Sequence, residues 1–584
     1  MEQHEKEKRP DFQALLSMAG EWSYYQWMLL SLLAIPGCLT GSWVGFSQTK
    51  DFFDQVFVVA SPPHWCHPPI NLTEFHLTEL QWKNMAIPLG AAGFSSCKQY
   101  EHKVSGTIVT INRTMELECS HGWTYDRSLY DETLVTEMGL ICSLDFWPAL
   151  SMIIFNSGSL FGNLIFGHIS DRYGRKRSLF LCVAMSSLFG FASSMTTDVK
   201  AFAAMRFFAG FSFPAIYAIA VILAFELVGD DYRIRTNTLF CSLFGASTCA
   251  LGIVANYVRN WRLLLVACSM PGTLFLFCWW SVEKMTSNHR WVALLQSCLL
   301  FSRCIPESPR WLISKRRYVQ AADTLISVAV RNRNSNNIEN INDACRESFV
   351  QDDKSEQKPT LMDLFKTPIL LKITCLVTFL WLVNSTVYNG LLYNVPNMKL
   401  NDYISFAVSG AVEVPAALIT WPLMNSIGRR WSLALSMGFG GLTTLLVPAL
   451  ANVHKWAIGI LATIGKFAIT ASYDILYAYA NELYPTTVRA IGITTASLVA
   501  MICVMLEPYV LYASSSSRTL PLVIMGILSS TAALLALLLP ETKGTHLPQT
   551  IEQMQTLQAL ARPRKGRRVN HGQVDQLETL VASS

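Results

Sequence analysis

Gly167-His168-Ile169-Ser170-Asp171-Arg172-Tyr173-Gly174-Arg175-Lys176-Arg177 lies between two long apolar runs. A partial echo, Gly428-Arg429-Arg430, separates two further apolar runs much later in the chain. A glycine turn carrying several cations between apolar runs is what a cytoplasmic membrane hairpin needs. Cations stay on the side where positive charge is retained, and Asp171 suits a helix end or an arginine partner. An ordinary basic loop accounts for either copy alone. Two copies at matching places in a repeated pattern point to a duplicated membrane frame.

Windows of roughly 20 apolar residues, each long enough to cross a bilayer, extend outward from both hairpins. The first set lies near 24–46, 147–168, 178–197, 202–224, 236–257 and 262–280. The second lies near 369–391, 403–425, 432–450, 455–479, 490–512 and 520–539. This predicts an all-α polytopic membrane protein with 12 transmembrane helices in two six-helix halves, 24–280 and 369–539. The halves are joined by a central cytoplasmic loop at 305–368, with cytoplasmic termini at 1–23 and 540–584 and a large external loop at 47–146. The first span follows a charged tail, Glu2 to Arg9, with no small-residue cleavage site after a short apolar core, so it reads as retained.

Composition agrees. Of 584 residues, 51% are hydrophobic and only 15% charged, with mean hydropathy +0.31. A soluble chain carries nearer a quarter charged residues, so much of this surface must face lipid. The net charge of +5 matters less than its placement at Arg172–Arg177, Lys315–Arg317, Arg429–Arg430 and Arg562–Arg568. The external loop has more acidic than basic residues. The positive-inside rule then sets the orientation, and the pattern does not suggest nucleic-acid binding.

The halves align as a repeat. Glu226-Leu227 followed by Arg233 and Arg235 matches Glu482-Leu483-Tyr484-Pro485 followed by Arg489, and Pro306-Glu307-Ser308 matches Pro540-Glu541-Thr542. Such repeats in a polytopic protein suggest alternating access around a site between the halves. Gly174 and Gly428 stand 254 residues apart and Glu226 and Glu482 256 apart, but Pro306 and Pro540 only 234 apart. Removing 281–304 restores the offset, which predicts an insertion there. Its apolar stretch Trp291–Phe301 is too short to span a bilayer. A translated intron gives the same pattern; transcript reads joining Trp280 to Ile305 would decide for it.

The motifs resemble the major facilitator superfamily, and within it the organic ion transporter family of cation, carnitine and anion carriers, solute carrier 22-like. Gly20-Glu21 with Gln26 resembles that family's amphipathic lead-in to its first helix. Cys119-Ser120-His121-Gly122-Trp123-Thr124-Tyr125-Asp126, Val135-Thr136-Glu137 and Cys142 resemble the end of its large external loop. Gly465-Lys466-Phe467 and Ala480-Asn481-Glu482-Leu483-Tyr484-Pro485 resemble its carnitine and zwitterion branch. The resemblance implies a multi-pass plasma-membrane transporter of a small organic solute, with a coupling ion an open question and no cofactor. Non-transporting receptor or scaffold use of the same frame, and sugar-porter-like uptake of a neutral solute, stay as alternatives. No Walker-type loop, metal-ligand spacing or nucleophile elbow supports an enzyme.

Cys66, Cys97, Cys119 and Cys142 form an even set in the loop expected to face the oxidising side, and four cysteines allow three pairings. Asn71-Leu72-Thr73 and Asn112-Arg113-Thr114 are glycosylation sequons there, each weak alone. Asn384-Ser385-Thr386 also matches but falls inside the seventh span.

Ionisable side chains inside the bilayer are functional candidates by default. Glu413 in the eighth span is weighed equally between a functional group and a helix-locking ion pair, with a helix break expected at Glu413-Val414-Pro415. The resemblance puts Lys466 in the tenth span as a cation facing the cavity. Asp474, two turns on, reads as a local counter-ion. Trp381 and Tyr388, seven residues apart, share a helix face and match cavity-lining aromatics of the family; Tyr217, Tyr473 and Tyr477 are further candidates for holding an organic cation.

In the eleventh span, the family's cation carriers have an acid and its anion and carnitine carriers a base, where Met501 stands here. Pro214 replaces a lysine of some relatives, and Glu507 is expected near a cavity mouth. Lys466 and Glu413 without a charge at Met501 suit a zwitterion or weakly charged solute. Gly167, Asp171, Arg172, Gly174, Arg175, Glu226, Arg235, Gly428, Arg429, Glu482 and Arg489 are expected to gate, their charge pairs holding the inner gate shut.

Overall fold

The structure, a computed structural model, describes residues 12–20, 55–68, 78–90, 93–105, 108–229, 232–270, 305–332, 361–393, 401–450, 455–485, 488–513 and 520–543, with 22, 23, 26 and 272 beside them. Nearly all of the expected first span, the expected insertion at 281–304, Asn71 and the C-terminal tail from 544 lie outside the described residues.

Helices stand where the apolar windows place the second to fifth spans: Phe146–Tyr173, Arg175–Ser194, Val199–Phe225 and Arg233–Tyr257. The seventh to twelfth are Pro368–Tyr393, Asp402–Ile427, Arg429–Leu450, Lys455–Leu483, Arg489–Ala513 and Leu520–Ala536. The sixth is described over Trp261–Met270. Among the described residues, eight helices are long and apolar enough to cross a membrane. The eighth runs unbroken through Pro415 and Pro422. The expected break at Glu413 is therefore absent. A proline removes one helix hydrogen bond, and here the helix is clamped between the fifth and tenth spans.

Lipid tails offer no hydrophobic drive for helix association, so close backbone approach has to supply it. Gly158 and Gly162 of the second span lie against the backbone of Phe207 and Phe211 in the fourth, and Gly441 of the ninth against Gly526 of the twelfth. The halves meet along two seams, fifth against eighth and second against eleventh. The repeat exchanges these seams, since the eighth and eleventh spans are the second-half counterparts of the second and fifth. On the fifth–eighth seam a Cβ at Gly410 would collide with the Thr248–Cys249 backbone.

The large loop before the second span, expected to be external, departs from the all-α expectation. Lys98–Ser105 pairs antiparallel with Ile108–Glu118, and His64–Cys66 with Trp123–Tyr125. Segments such as Ile108-Val109-Thr110-Ile111 are rich in the β-branched residues that favour strands. Of the three open pairings the structure has Cys66–Cys119 and Cys97–Cys142. The second bond fastens the hairpin to the start of the second span. Asn112 is exposed on the hairpin, its Oδ1 accepting the Thr114 hydroxyl at 2.6 Å.

Glu137 docks the loop on the sixth span, accepting from Trp261 Nε1 at 2.7 Å and pairing with Arg262 at 2.6 Å. The hydrogen-bonded Arg262 guanidinium holds the Glu137 carboxyl below the usual carboxylate range. Tyr130 donates to Asp402 Oδ2 at 2.7 Å, and Tyr403 to the Leu129 carbonyl at 3.2 Å. With Phe155, Leu251, Leu392 and Phe406 in one apolar cluster around them, the two halves are packed together at the end that carries the large loop.

Candidate functional site

Lys466, Glu413 and Tyr388 converge from the tenth, eighth and seventh spans. Lys466 and Glu413 are 1% and 2% exposed, with Nζ 3.2 Å from Oε1. Tyr388 donates its hydroxyl to the same Oε1 at 2.6 Å. The ammonium lies 3.0 Å from the Tyr388 ring centroid and donates to the Tyr388 carbonyl at 3.3 Å. Lys466 is therefore not an unmatched cation, and Glu413 is its partner. Desolvating either charge costs several kcal/mol, so both remain ionised only when matched and hydrogen-bonded.

Trp381 and Tyr388 share a face, since both touch Tyr473, at ring separations of 6.3 and 5.8 Å. Tyr477 completes the aromatic wall, 4.4 Å from Trp381 edge to face. Tyr217 packs against Phe240 and Phe244 in the first half, and its hydroxyl lies 4.0 Å from Cys241 Sγ. The Asp474 carboxyl neighbours that thiol. Eight residues separate Asp474 from Lys466, about 12 Å along a helix. The expected counter-ion role of Asp474 thus passes to Glu413, which another helix brings into contact. Asn384 is buried, accepting from the Ser472 hydroxyl at 2.6 Å.

Glu507 is 2% exposed, and neither carboxyl oxygen has a hydrogen-bond partner among the described residues. It packs by Gly390, so its expected place at a cavity mouth gives way to a buried one. Met501 is partly buried and stands one turn before Met505, whose Sδ accepts from the Ser157 hydroxyl of the second span at 3.0 Å. That spacing puts Met501 on the side of the eleventh helix turned toward the first half.

At the rim carrying the two basic hairpins Arg175 pairs with Asp171 at 2.6 Å and with Glu226 at 3.5 Å, and Arg429 with Glu482 at 3.1 Å. The expectation of charge pairs bridging the halves needs correction: each of these pairs closes within one half. Arg489 Nε donates to the Tyr484 carbonyl at 3.3 Å, also within its half. Arg172 and Arg235 lie over the rings of Tyr173 and Tyr232. A Cβ on Gly167 would meet nothing within 4 Å, so no close packing requires glycine there in this conformation.

Glu307 and Glu541, read from the sequence only as members of the repeat, have a role at this rim. Gly174 and Gly428 both turn at positive φ, +108° and +89°, where glycine is favoured. Each turn exposes the N-terminus of the next helix to a glutamate from the end of its half. Glu307 accepts from the amides of Arg175 and Lys176 at 2.8 and 3.1 Å. Glu541 accepts from those of Arg429 and Arg430 at 2.8 and 3.2 Å. A carboxylate there satisfies orphan amides and opposes the positive end of the helix dipole. The repeated Pro-Glu-Ser/Thr was the available signal. Glu541→Ala is expected to cost ~1–2 kcal/mol of stability, read as a lowered Tm of the detergent-purified protein; an unchanged Tm would count against the cap.

Three comparisons bear on this geometry. The Major Facilitator Superfamily model matches residues 134–506. Organic cation transporter 1 of Caenorhabditis elegans is 33% identical over 575 residues, covering 96% of this chain and 91% of that protein. Human organic cation/carnitine transporter 2 is 31% identical, covering 93% and 94%. The xylose transporter XylE from E. coli, in a partially occluded inward open conformation, superposes with a TM-score of 0.57 at 14% identity, covering 90% and 100%; this likeness shows the fold alone. The chain therefore belongs to the Major Facilitator Superfamily and, within it, to the solute carrier 22 family of organic cation and carnitine transporters. It is a multi-pass membrane protein and a transporter, not an enzyme.

Proposed function

We propose that the protein carries a small organic cation or zwitterion across the plasma membrane by alternating access, with both termini cytoplasmic. The observation behind this reading is the buried Lys466–Glu413 pair beneath Tyr388, beside the wall of Trp381, Tyr473 and Tyr477. A zwitterion exchanges with such a pair charge for charge: its carboxylate takes Lys466, its ammonium takes Glu413 and the aromatic faces. The names of the relatives, organic cation and organic cation/carnitine transporters, favour the same chemistry. Counterflow of L-carnitine in proteoliposomes tests the reading. Saturable binding without flux would favour a receptor, and flux of sugars alone a neutral-solute porter. Repeating the assay with and without imposed Na⁺ or proton gradients identifies a coupling ion.

The rim pairs then act as struts that keep each half rigid while the halves rock. Asp171 is largely exposed, so its ion pair with Arg175 adds little to stability. Asp171→Asn is expected to cut maximal flux several-fold and leave half-saturation near wild type. Normal maximal flux with only a raised half-saturation would place Asp171 in solute binding instead.

A further inference from the structure

The exchange at Lys466 and Glu413 leaves a further carboxyl beside Lys466 without a task. Glu507 of the eleventh span is 2% exposed, and neither of its oxygens has a hydrogen-bond partner among the described residues. Room is made for it: a Cβ on Gly390 of the seventh span would lie 2.5 Å from Glu507 Oε1 and would also collide with Met525 of the twelfth. The carboxyl thus fills a notch that a larger residue at 390 would close. Lys466 Nζ donates to the carbonyl of Tyr388, two residues before Gly390, so ammonium and notch share one turn of the seventh helix. Of the titratable and charged groups on the second, seventh, tenth and twelfth spans, Lys466 is the one that acts on the Glu507 charge among the described residues. Lys466 in turn feels both carboxyls, Glu413 in contact and Glu507 beyond contact.

A desolvated carboxyl with no donor and no cation in contact rests as the neutral acid, since an isolated buried charge is far costlier. Lys466 in contact would reverse that, because a matched and hydrogen-bonded pair stays ionised. Its flexible four-carbon stem carries a point charge that can change partners without backbone movement. A cation without a carboxylate poses a problem that a zwitterion does not. It can take Glu413 and the aromatic faces, but it evicts Lys466 and offers nothing in return.

We propose that Glu507 is the alternate partner of Lys466, taken up when such a cation occupies Glu413. The Lys466–Glu413 pair opens, the Glu507 acid gives up its proton to solvent, and the carboxylate so formed pairs with Lys466. Charge in the core balances, since one cation enters and one proton leaves. A zwitterion keeps Lys466 on its own carboxylate, so Glu507 keeps its proton. Glu507 is then a positioning residue, which admits simple cations through Lys466 without touching them. This rests on the transport reading above and adds the means by which one carrier takes both classes.

The test uses full-length protein, with L-carnitine as the zwitterion and tetraethylammonium as a cation that brings no proton of its own. Proton release on binding is read in detergent with a pH indicator in weakly buffered solution, beside equilibrium affinity; flux is read in liposomes. Wild-type protein is expected to release about one proton per tetraethylammonium bound and almost none per L-carnitine. Glu507→Gln keeps the side-chain shape and is expected to abolish the release. It should also weaken tetraethylammonium binding ~10-fold or more while moving L-carnitine far less. Wild-type binding of tetraethylammonium without proton release overturns the proposal with no variant needed, as does equal release with both probes or no tetraethylammonium binding at all. In folded Glu507→Gln, release that persists or unchanged tetraethylammonium affinity also overturns it. Equal loss of both probes there would make Glu507 a structural residue and overturn it too. Glu507-dependent proton release on tetraethylammonium binding without any flux would sustain the proposal and sink the transport reading.

Discussion

Lys466→Ala is expected to abolish uptake and also to reduce the amount of folded protein at the cell surface. Removing the ammonium strands Glu413 inside the membrane core with only the Tyr388 hydroxyl to serve it. Breaking one side of a buried pair costs ~3–5 kcal/mol, well beyond the loss of a surface charge. A cation that merely faced the cavity would leave surface expression intact when removed; the observed pairing predicts the opposite. Lys466→Met combined with Glu413→Gln removes both charges together, so it is expected to recover surface expression while zwitterion uptake stays lost. Surface biotinylation alongside uptake separates the two effects. Wild-type surface levels for the single variant would show that Glu413 finds another partner or a proton at little cost.

The frame was legible because its signals are local. The apolar windows mark the spans, and the Gly174 and Gly428 turns carry their cations within a few residues. The repeated Pro-Glu-Ser/Thr motif even paired Pro306-Glu307 with Pro540-Glu541, although the reason, two carboxylates capping two helices, required the turns to be seen in space. Partnerships were less legible. Lys466 and Glu413 lie on different helices, and no periodicity says which face of one meets which face of the other. Asp474 looked like the counter-ion because it was near in sequence, whereas a helix carries a residue two turns on out of reach. The rim charges were assigned across the halves because alternating access needs a gate, and the structure pairs Arg175 and Arg429 within their own halves. Cysteine count limited the disulfides to three arrangements; the fold of the loop, with its unforeseen hairpins, selected one.

Met501→Arg and Met501→Asp are expected to move substrate preference in opposite directions. Met501 shares a helix side with Met505, whose sulfur touches Ser157 across the second–eleventh seam. A charge placed there is directed toward the boundary between the halves and is far from fully solvated. At an effective dielectric of about 20, opposite charges roughly 4 Å apart interact by about 4 kcal/mol before desolvation. Even a quarter of that, about 1 kcal/mol, changes an affinity ratio roughly fivefold. Arginine should draw in solutes with a carboxylate and repel simple amines; aspartate should do the reverse. The measurement is the ratio of half-saturation concentrations for L-carnitine and phenethylamine in cells with equal surface levels. If both variants keep the wild-type ratio, the side chain at 501 does not meet the solute, and selectivity is set by the seventh, eighth and tenth spans alone.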